Sequence, residues 1–402
     1  MAPDGAPPQR QPLWFLLVLA SASAGGAVAY VPFLTMLVPV RITEIAQGEN
    51  VASLAYVTFA GAIVASLANI AFGWLSDRSG RRRIWIAAGL VLSAGLLVVA
   101  GRAGSVSALI LAIMAWQVGL NMMLGPIAAW AGDCVPDEQK GLLGGLFSFA
   151  PALGALSGAV VTVPGLIADD SRPIAVALAS AAMVLPALIL GGGRRQLPLM
   201  APDFDPLPRS RANGPLHSRS AIVRMWLSRL LVQIAEASLF AFLLFWLASL
   251  SPRFDQSFAA RLFTMVLWVA VPLSLLVGRW SDRTARPIMP LAATAALSSA
   301  GLVMMAAIDG EEAAIAGYLL FAAASTIFLA LHSGQTLRAL PRPQHRGRDL
   351  GLFNLTNTIP SLIFPWFTLL LVPMFGYAGL FAVLAALAAL AAVLLAGISR
   401  RT

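Results

Sequence analysis

Apolar stretches long enough to cross a lipid bilayer recur along the whole chain, separated by short polar segments. A helix needs about 20 mostly apolar residues to span the hydrocarbon core. Twelve runs approach or exceed that length, near 13–40, 51–75, 84–101, 105–131, 141–163, 173–193, 221–250, 258–280, 288–308, 313–337, 350–373 and 376–398. The first begins like a secretory signal, with Arg10, an apolar stretch and the small residues Ala22-Ser23-Ala24. Its apolar character continues to Val40, however, so it reads as a membrane helix. The pattern predicts an all-α integral membrane protein with twelve transmembrane helices.

Composition agrees with the pattern. Of 402 residues, 59% are hydrophobic and only 11% charged, where soluble domains carry roughly a quarter charged. The net charge of +9 raises the question of a nucleic-acid partner, and the placement of the basic residues answers it. With both termini cytoplasmic, 21 of the 27 Lys and Arg residues fall in cytoplasmic segments, as the positive-inside rule requires. The charge is a topological signal, and nucleic acid is not an expected partner. The expected location is the plasma membrane (bacterial inner membrane), with both termini cytoplasmic and the lipid bilayer as solvent. The single Cys134 excludes an internal disulfide.

The chain repeats itself. Gly73-Trp74-Leu75-Ser76-Asp77-Arg78 returns as Gly278-Arg279-Trp280-Ser281-Asp282-Arg283, an offset of 205. Val135-Pro136 returns as Leu340-Pro341 at 205, and Gly145-Leu146-Phe147 as Gly351-Leu352-Phe353 at 206. A constant offset across three sites marks a duplication, here of two six-helix units running in the same membrane direction. The expected organisation is a cytoplasmic tail 1–12, a bundle 13–193, a Pro- and Arg-rich cytoplasmic linker 194–220, a second bundle 221–398 and a tail 399–402.

The most charged interruption is GWLSDRSGRRR, residues 73–83. Gly73 removes a side chain where membrane helices pack closely, and Gly80 permits a tight turn. Asp77 and Arg81 stand four apart and pair if the helix continues through them. Arg82 and Arg83 read as anchors that hold the loop inside. With its partial copy Gly278, Asp282 and Arg283, this loop between second and third helices resembles the signature of the major facilitator superfamily, and the resemblance covers essentially the whole chain. It implies that superfamily's fold, with two parallel six-helix repeats that alternately expose a central site. It also implies that the loop acts as a cytoplasmic latch, formed while the site opens outward, in which Asp77, Arg78 and Arg81 meet the start of helix 11 near Gly347 to Leu350. Asp133, at the end of the fourth run, is the expected third member. The position related to it by the repeat is Arg338, so Asp282 is expected to pair with Arg338 or Arg286.

Ionisable groups inside a span are costly and mark function. The seventh run holds Arg229, Gln233 and Glu236, within about 60° of one another on a helix. Glu236 lies near mid-span, where a carboxyl is a natural group to take up and release a proton, and Arg229 is its companion in coupling. A buried ion pair holding this helix to a neighbour is the structural alternative. Tyr30, Gln117, Asn121, Gln233, Asn354 and Asn357 are candidate substrate contacts, although such groups also serve as interhelical glue. His332 reads as a structural histidine.

No phosphate-binding loop, metal-ligand cluster or catalytic triad spacing occurs, so no enzyme activity, metal or cofactor is expected. The reading is of a monomeric secondary transporter for a small-molecule substrate, with the proton as coupling ion. The amide and hydroxyl groups of GLFNLTNTIPSLIFP, residues 351–365, resemble sugar-transporting branches and favour a sugar or glycoside. Ala150-Pro151-Ala152-Leu153-Gly154 loosely resembles the Gly-Pro motif of proton-driven drug antiporters, so efflux of drugs or metabolites is the alternative. A transporter-derived membrane sensor is the alternative of another class.

Overall fold

In the computed structural model, the described residues are 10–46, 50–191, 218–251, 253–254, 256–284, 286–308, 310–340 and 345–399. Residues 1–9, residues 192–217, which include most of the predicted linker 194–220, and residues 400–402 lie outside them. Among the described residues the chain is helical, with no strand.

Helices occupy all twelve predicted runs. The first comprises α1 (Leu13–Pro32), a π-helical turn (Phe33–Leu37) and α2 (Val38–Ile45). Pro32 and Pro39 each lack the N–H that an α-helical ladder needs, and the turn between them is wound more widely. Next come α3 (Asn50–Ser79), α4 (Arg82–Gly101) and α5 (Val106–Cys134), the last capped by Ser105, whose Oγ accepts from the Ala108 N–H at 3.2 Å. The fifth run is split at Ser148 into α6 (Lys140–Phe147) and α7 (Phe149–Val161), because Pro151 cannot donate back to the Phe147 carbonyl. The remaining elements are α8 (Arg172–Leu190), α9 (Arg219–Leu250), α10 (Gln256–Thr284), α11 (Met289–Ala307), α12 (Glu311–Ala339) and α13 (Arg346–Ser399). Gly376, at φ +64°, breaks α13 into two helices, 346–375 and 377–399.

Ten of these helical stretches are long and apolar enough to cross a membrane by length and composition alone. Their outward faces are apolar, with Val91, Leu111, Leu178, Trp268 and Val393 each at least 65% exposed. Water would penalise such a surface, whereas lipid does not.

Two compact units result. One is built from α1 to α5, α7, α8 and the first turns of α13 as far as Asn354. Its core holds Trp116, Trp130, Phe15 and Phe33. The other is built from α6, α9 to α12 and α13 from Leu355 onwards, around Phe321 and Phe328. Two helix starts group with the unit built mainly from the other half of the chain. The segment 140–148 packs with the second unit, and 345–354 belongs to the first.

Candidate functional site

In the first unit, α3 carries Asp77 to the start of α13. The Gly347 and Arg348 N–H groups donate to Asp77 Oδ1 and Oδ2, both at 2.9 Å. First-turn N–H groups have no partner within their own helix, and the helix dipole favours an anion there. Arg82 Nη1 lies 2.6 Å from Asp77 Oδ1, and Arg82 Nε 3.1 Å from Asp133 Oδ2. Arg346 Nη1 reaches Asp133 Oδ1 at 2.6 Å. These four side chains are each no more than 5% exposed, and their charges cancel.

The arginine that pairs with Asp77 is therefore Arg82, and its expected role as a loop anchor is corrected. Arg81 is exposed. Helix α3 ends at Ser79 and Gly80 turns at φ +63°, so the four-residue spacing from Asp77 to Arg81 no longer lies along one helix. Arg82 opens α4 and also donates to Ser76 Oγ at 2.6 Å. Arg78 stacks on Trp74 at the surface.

Close backbone approach makes the network possible. A Cβ on Gly73 would fall well inside the van der Waals radius of the Gly347 carbonyl, and one on Gly347 inside that of the Gly73 carbonyl. The obstruction is main chain on both sides, so no rotamer change relieves it. Gly73→Ala is expected to cost about 1–3 kcal/mol in this arrangement and to slow transport. Gly95→Ala, with nothing within 4 Å of the added methyl, is the control that leaves transport unchanged. Equal transport rates for the two variants in proteoliposomes would remove the close approach from the mechanism.

The second unit repeats the device with different charges. Asp282 accepts from the Gly141 and Leu142 N–H groups at the start of α6, at 3.1 and 3.0 Å, and Gly278 abuts the Gly141 carbonyl. The ion pair comes from Arg338 at the end of α12, which also donates to Gln335 Oε1 at 3.0 Å. Lys140 Nζ donates to the Leu337 carbonyl at 3.1 Å. At an offset of 205, Asp133 is replaced by Arg338 and Arg82 by Pro287. The second copy has thus moved its guanidinium from the loop to the helix end. Arg283 is exposed. Lys140, Gly141 and Leu142 stand at an offset of 206 from Arg346, Gly347 and Arg348, a correspondence in the sequence that identifies the helix starts the two acids hold.

The polar stripe of α9 also lies in the second unit. Arg229 reaches two other helices, donating from Nη1 to Ser333 Oγ on α12 at 3.1 Å and from Nη2 to Asn357 Oδ1 on α13 at 3.4 Å. Gln233 Oε1 is buried and has no hydrogen-bond partner among the described residues. Glu236, two turns beyond Arg229, makes no hydrogen bond and no close ion pair among them. Sequence reasoning missed Ser333, because one serine in an apolar helix carries no signal of its own. His332 is fully buried, with Nε2 2.9 Å from the Met225 carbonyl and Nδ1 3.0 Å from Thr336 Oγ1. It ties α9 to α12.

The other candidate contacts are dispersed. Gln117 and Asn121 are buried on α5, where Asn121 donates to the Gln117 carbonyl and Oε1 and accepts from Asn69 of α3 at 3.0 Å. These amides bond one another and join two helices. Tyr30 is part-exposed near the end of α1. Asn354 lies in the portion of α13 that belongs to the first unit.

The sequence model of the Major Facilitator Superfamily matches residues 13–331. Two curated relatives, uncharacterized MFS-type transporters from Mycobacterium tuberculosis strains CDC 1551 / Oshkosh and H37Rv, are each 26% identical over 389 residues, covering 90% of this chain and 78% of theirs. Among solved structures, the human organic anion transporter MFSD10 aligns with TM-score 0.75 and 15% identity over 96% of this chain and 100% of its own. A bacterial homologue of the iron transporter ferroportin, in the outward-facing state, aligns with TM-score 0.72 and 17% identity over 96% and 99%. The E. coli fucose:proton symporter aligns with TM-score 0.66 and 15% identity over 95% and 98%. At these identities the structures show a shared fold.

Proposed function

The chain belongs to the Major Facilitator Superfamily and is a multi-pass membrane transporter, and from that premise we propose that it moves a small polar organic solute in step with a proton carried by Glu236. The observation that carries this reading is a carboxyl group within helix α9 that has no ion pair or hydrogen bond among the described residues. Glu236 is half-buried, and a structural carboxylate within a membrane helix would be expected to have a close partner, since an unpaired charge there is costly. A carboxyl that exchanges a proton does not need one in every state. Tyr318 of α12 and Arg229 are the titratable groups that interact electrostatically with it.

The two aspartate networks supply the conformational part. Each acid holds the first turn of a helix from the other sequence repeat, Asp77 that of α13 and Asp282 that of α6. Breaking and remaking these bonds lets the repeats move relative to one another once per cycle. The full chain in proteoliposomes provides the test. An imposed pH gradient is expected to drive accumulation of a transported solute above its equilibrium level, and a protonophore to abolish it. Uptake that equilibrates identically with and without the gradient would remove the proton from the proposal.

A further inference from the structure

We propose that Arg229, together with Ser333, Asn357 and Gln233, forms the recognition site for a carboxylate group on the transported solute. The inference deepens the transporter reading and rests on it. Three helices of one unit converge here, because Arg229 projects from α9 to Ser333 on α12 and Asn357 on α13. Both partners are neutral. The acid on the same helix face, Glu236, is seven residues further on, about 10 Å along the axis, beyond contact with the guanidinium.

A guanidinium half-buried within a membrane helix without a contacting counter-ion is expensive to maintain. It is also too well oriented to be an arginine reaching for lipid headgroups. Both bonds point it at neighbouring helices, where the hydroxyl of Ser333 and the amide oxygen of Asn357 act as acceptors. Those bonds use two of its five N–H groups, and the remainder suit the two parallel bonds that a carboxylate accepts.

One helical turn on, the buried end of the Gln233 amide lacks a partner. Turned over, that amide presents an N–H to the same anion. From Leu355 to Ile398, α13 adds no Asp, Glu, Lys or Arg beside Arg229, and the acid on its own helix face is Glu236. While Glu236 carries its proton, Arg229 leaves one positive charge to offset, which a monocarboxylate matches and a doubly charged phosphate exceeds.

Thermal unfolding of the purified full chain, titrated with acetate, lactate and benzoate, each against its neutral amide, and with inorganic phosphate and glucose, provides the test. Ligand that binds only the folded protein raises the midpoint by mass action. At least one carboxylate is expected to raise the midpoint saturably while its amide does not. Arg229→Gln is expected to lose the response, and Arg229→Lys, which keeps the charge without the planar fork, to need at least about tenfold more ligand.

Four results would overturn the assignment: no carboxylate of the series acting, an amide acting equally, only phosphate or glucose acting, or an undiminished carboxylate response in Arg229→Gln. If Arg229→Gln does not fold, the Arg229→Lys titration decides alone, and a wild-type affinity there overturns it too. The two readings fail separately. A carboxylate bound through Arg229 but not accumulated by a pH gradient removes proton coupling and leaves this site. A neutral solute driven by the gradient equally well in Arg229→Gln removes this site and leaves coupling.

Discussion

Glu236→Gln is expected to abolish gradient-driven accumulation while solute exchange across the membrane continues. For one proton per solute, each unit of pH difference supports about a tenfold concentration ratio, since 1.4 kcal/mol is a factor of ten. The variant should bring that ratio to one. Glutamine matches the protonated carboxyl in size and hydrogen-bonding character but never releases a proton. Exchange requires only that the loaded protein reorient, whereas under the proposed coupling net movement requires Glu236 to shed its proton on the far side. Measuring counterflow and gradient-driven uptake in the same proteoliposomes separates the two steps. Wild-type accumulation in the variant would eliminate Glu236 as the coupling group, and loss of both activities would assign it a structural role.

Asp133→Ala is expected to be the most destabilising single change in the first network. Two carboxylates and two guanidiniums balance there, with Asp133 1% exposed, Arg82 1% and Arg346 5%. Removing Asp133 takes away the pair at Arg346 Nη1 and the pair at Arg82 Nε, and leaves two guanidiniums against the single carboxylate of Asp77. Breaking a buried pair in this way costs about 3–5 kcal/mol, because the excess positive charge stays desolvated. Adding Arg346→Met to Asp133→Ala returns the cluster to neutrality and should restore much of the loss. The comparison is made on unfolding midpoints of wild type, single and double variants. A double variant no more stable than the single would show that the penalty comes from packing, and an unchanged single variant would show that the cluster is not desolvated.

Much of the architecture can be read in the sequence, because the bilayer imposes a local rule. Every spanning helix must present its own apolar length, so twelve runs predict twelve helices without knowledge of their neighbours. The repeat at 205–206 residues carries the duplication, and Gly73, Asp77, Gly278 and Asp282 mark corresponding turns of its two copies. The intramembrane charges Arg229 and Glu236 stand out for the same reason, since a span tolerates so few.

Partner choice was decided only by tertiary structure. Arg81 and Arg82 are adjacent and chemically identical, yet the turn at Gly80 exposes one and buries the other against Asp77 and Asp133. Gln117 and Asn121 bond to each other, Asn121 also accepts from Asn69, and Arg229 bonds to Ser333 and Asn357, because of how each helix is rotated about its axis. The placement of α6 and the start of α13 likewise emerges from packing. Hydropathy along the chain specifies where helices run, whereas which face meets which neighbour depends on side-chain fit between segments 50 to 270 residues apart.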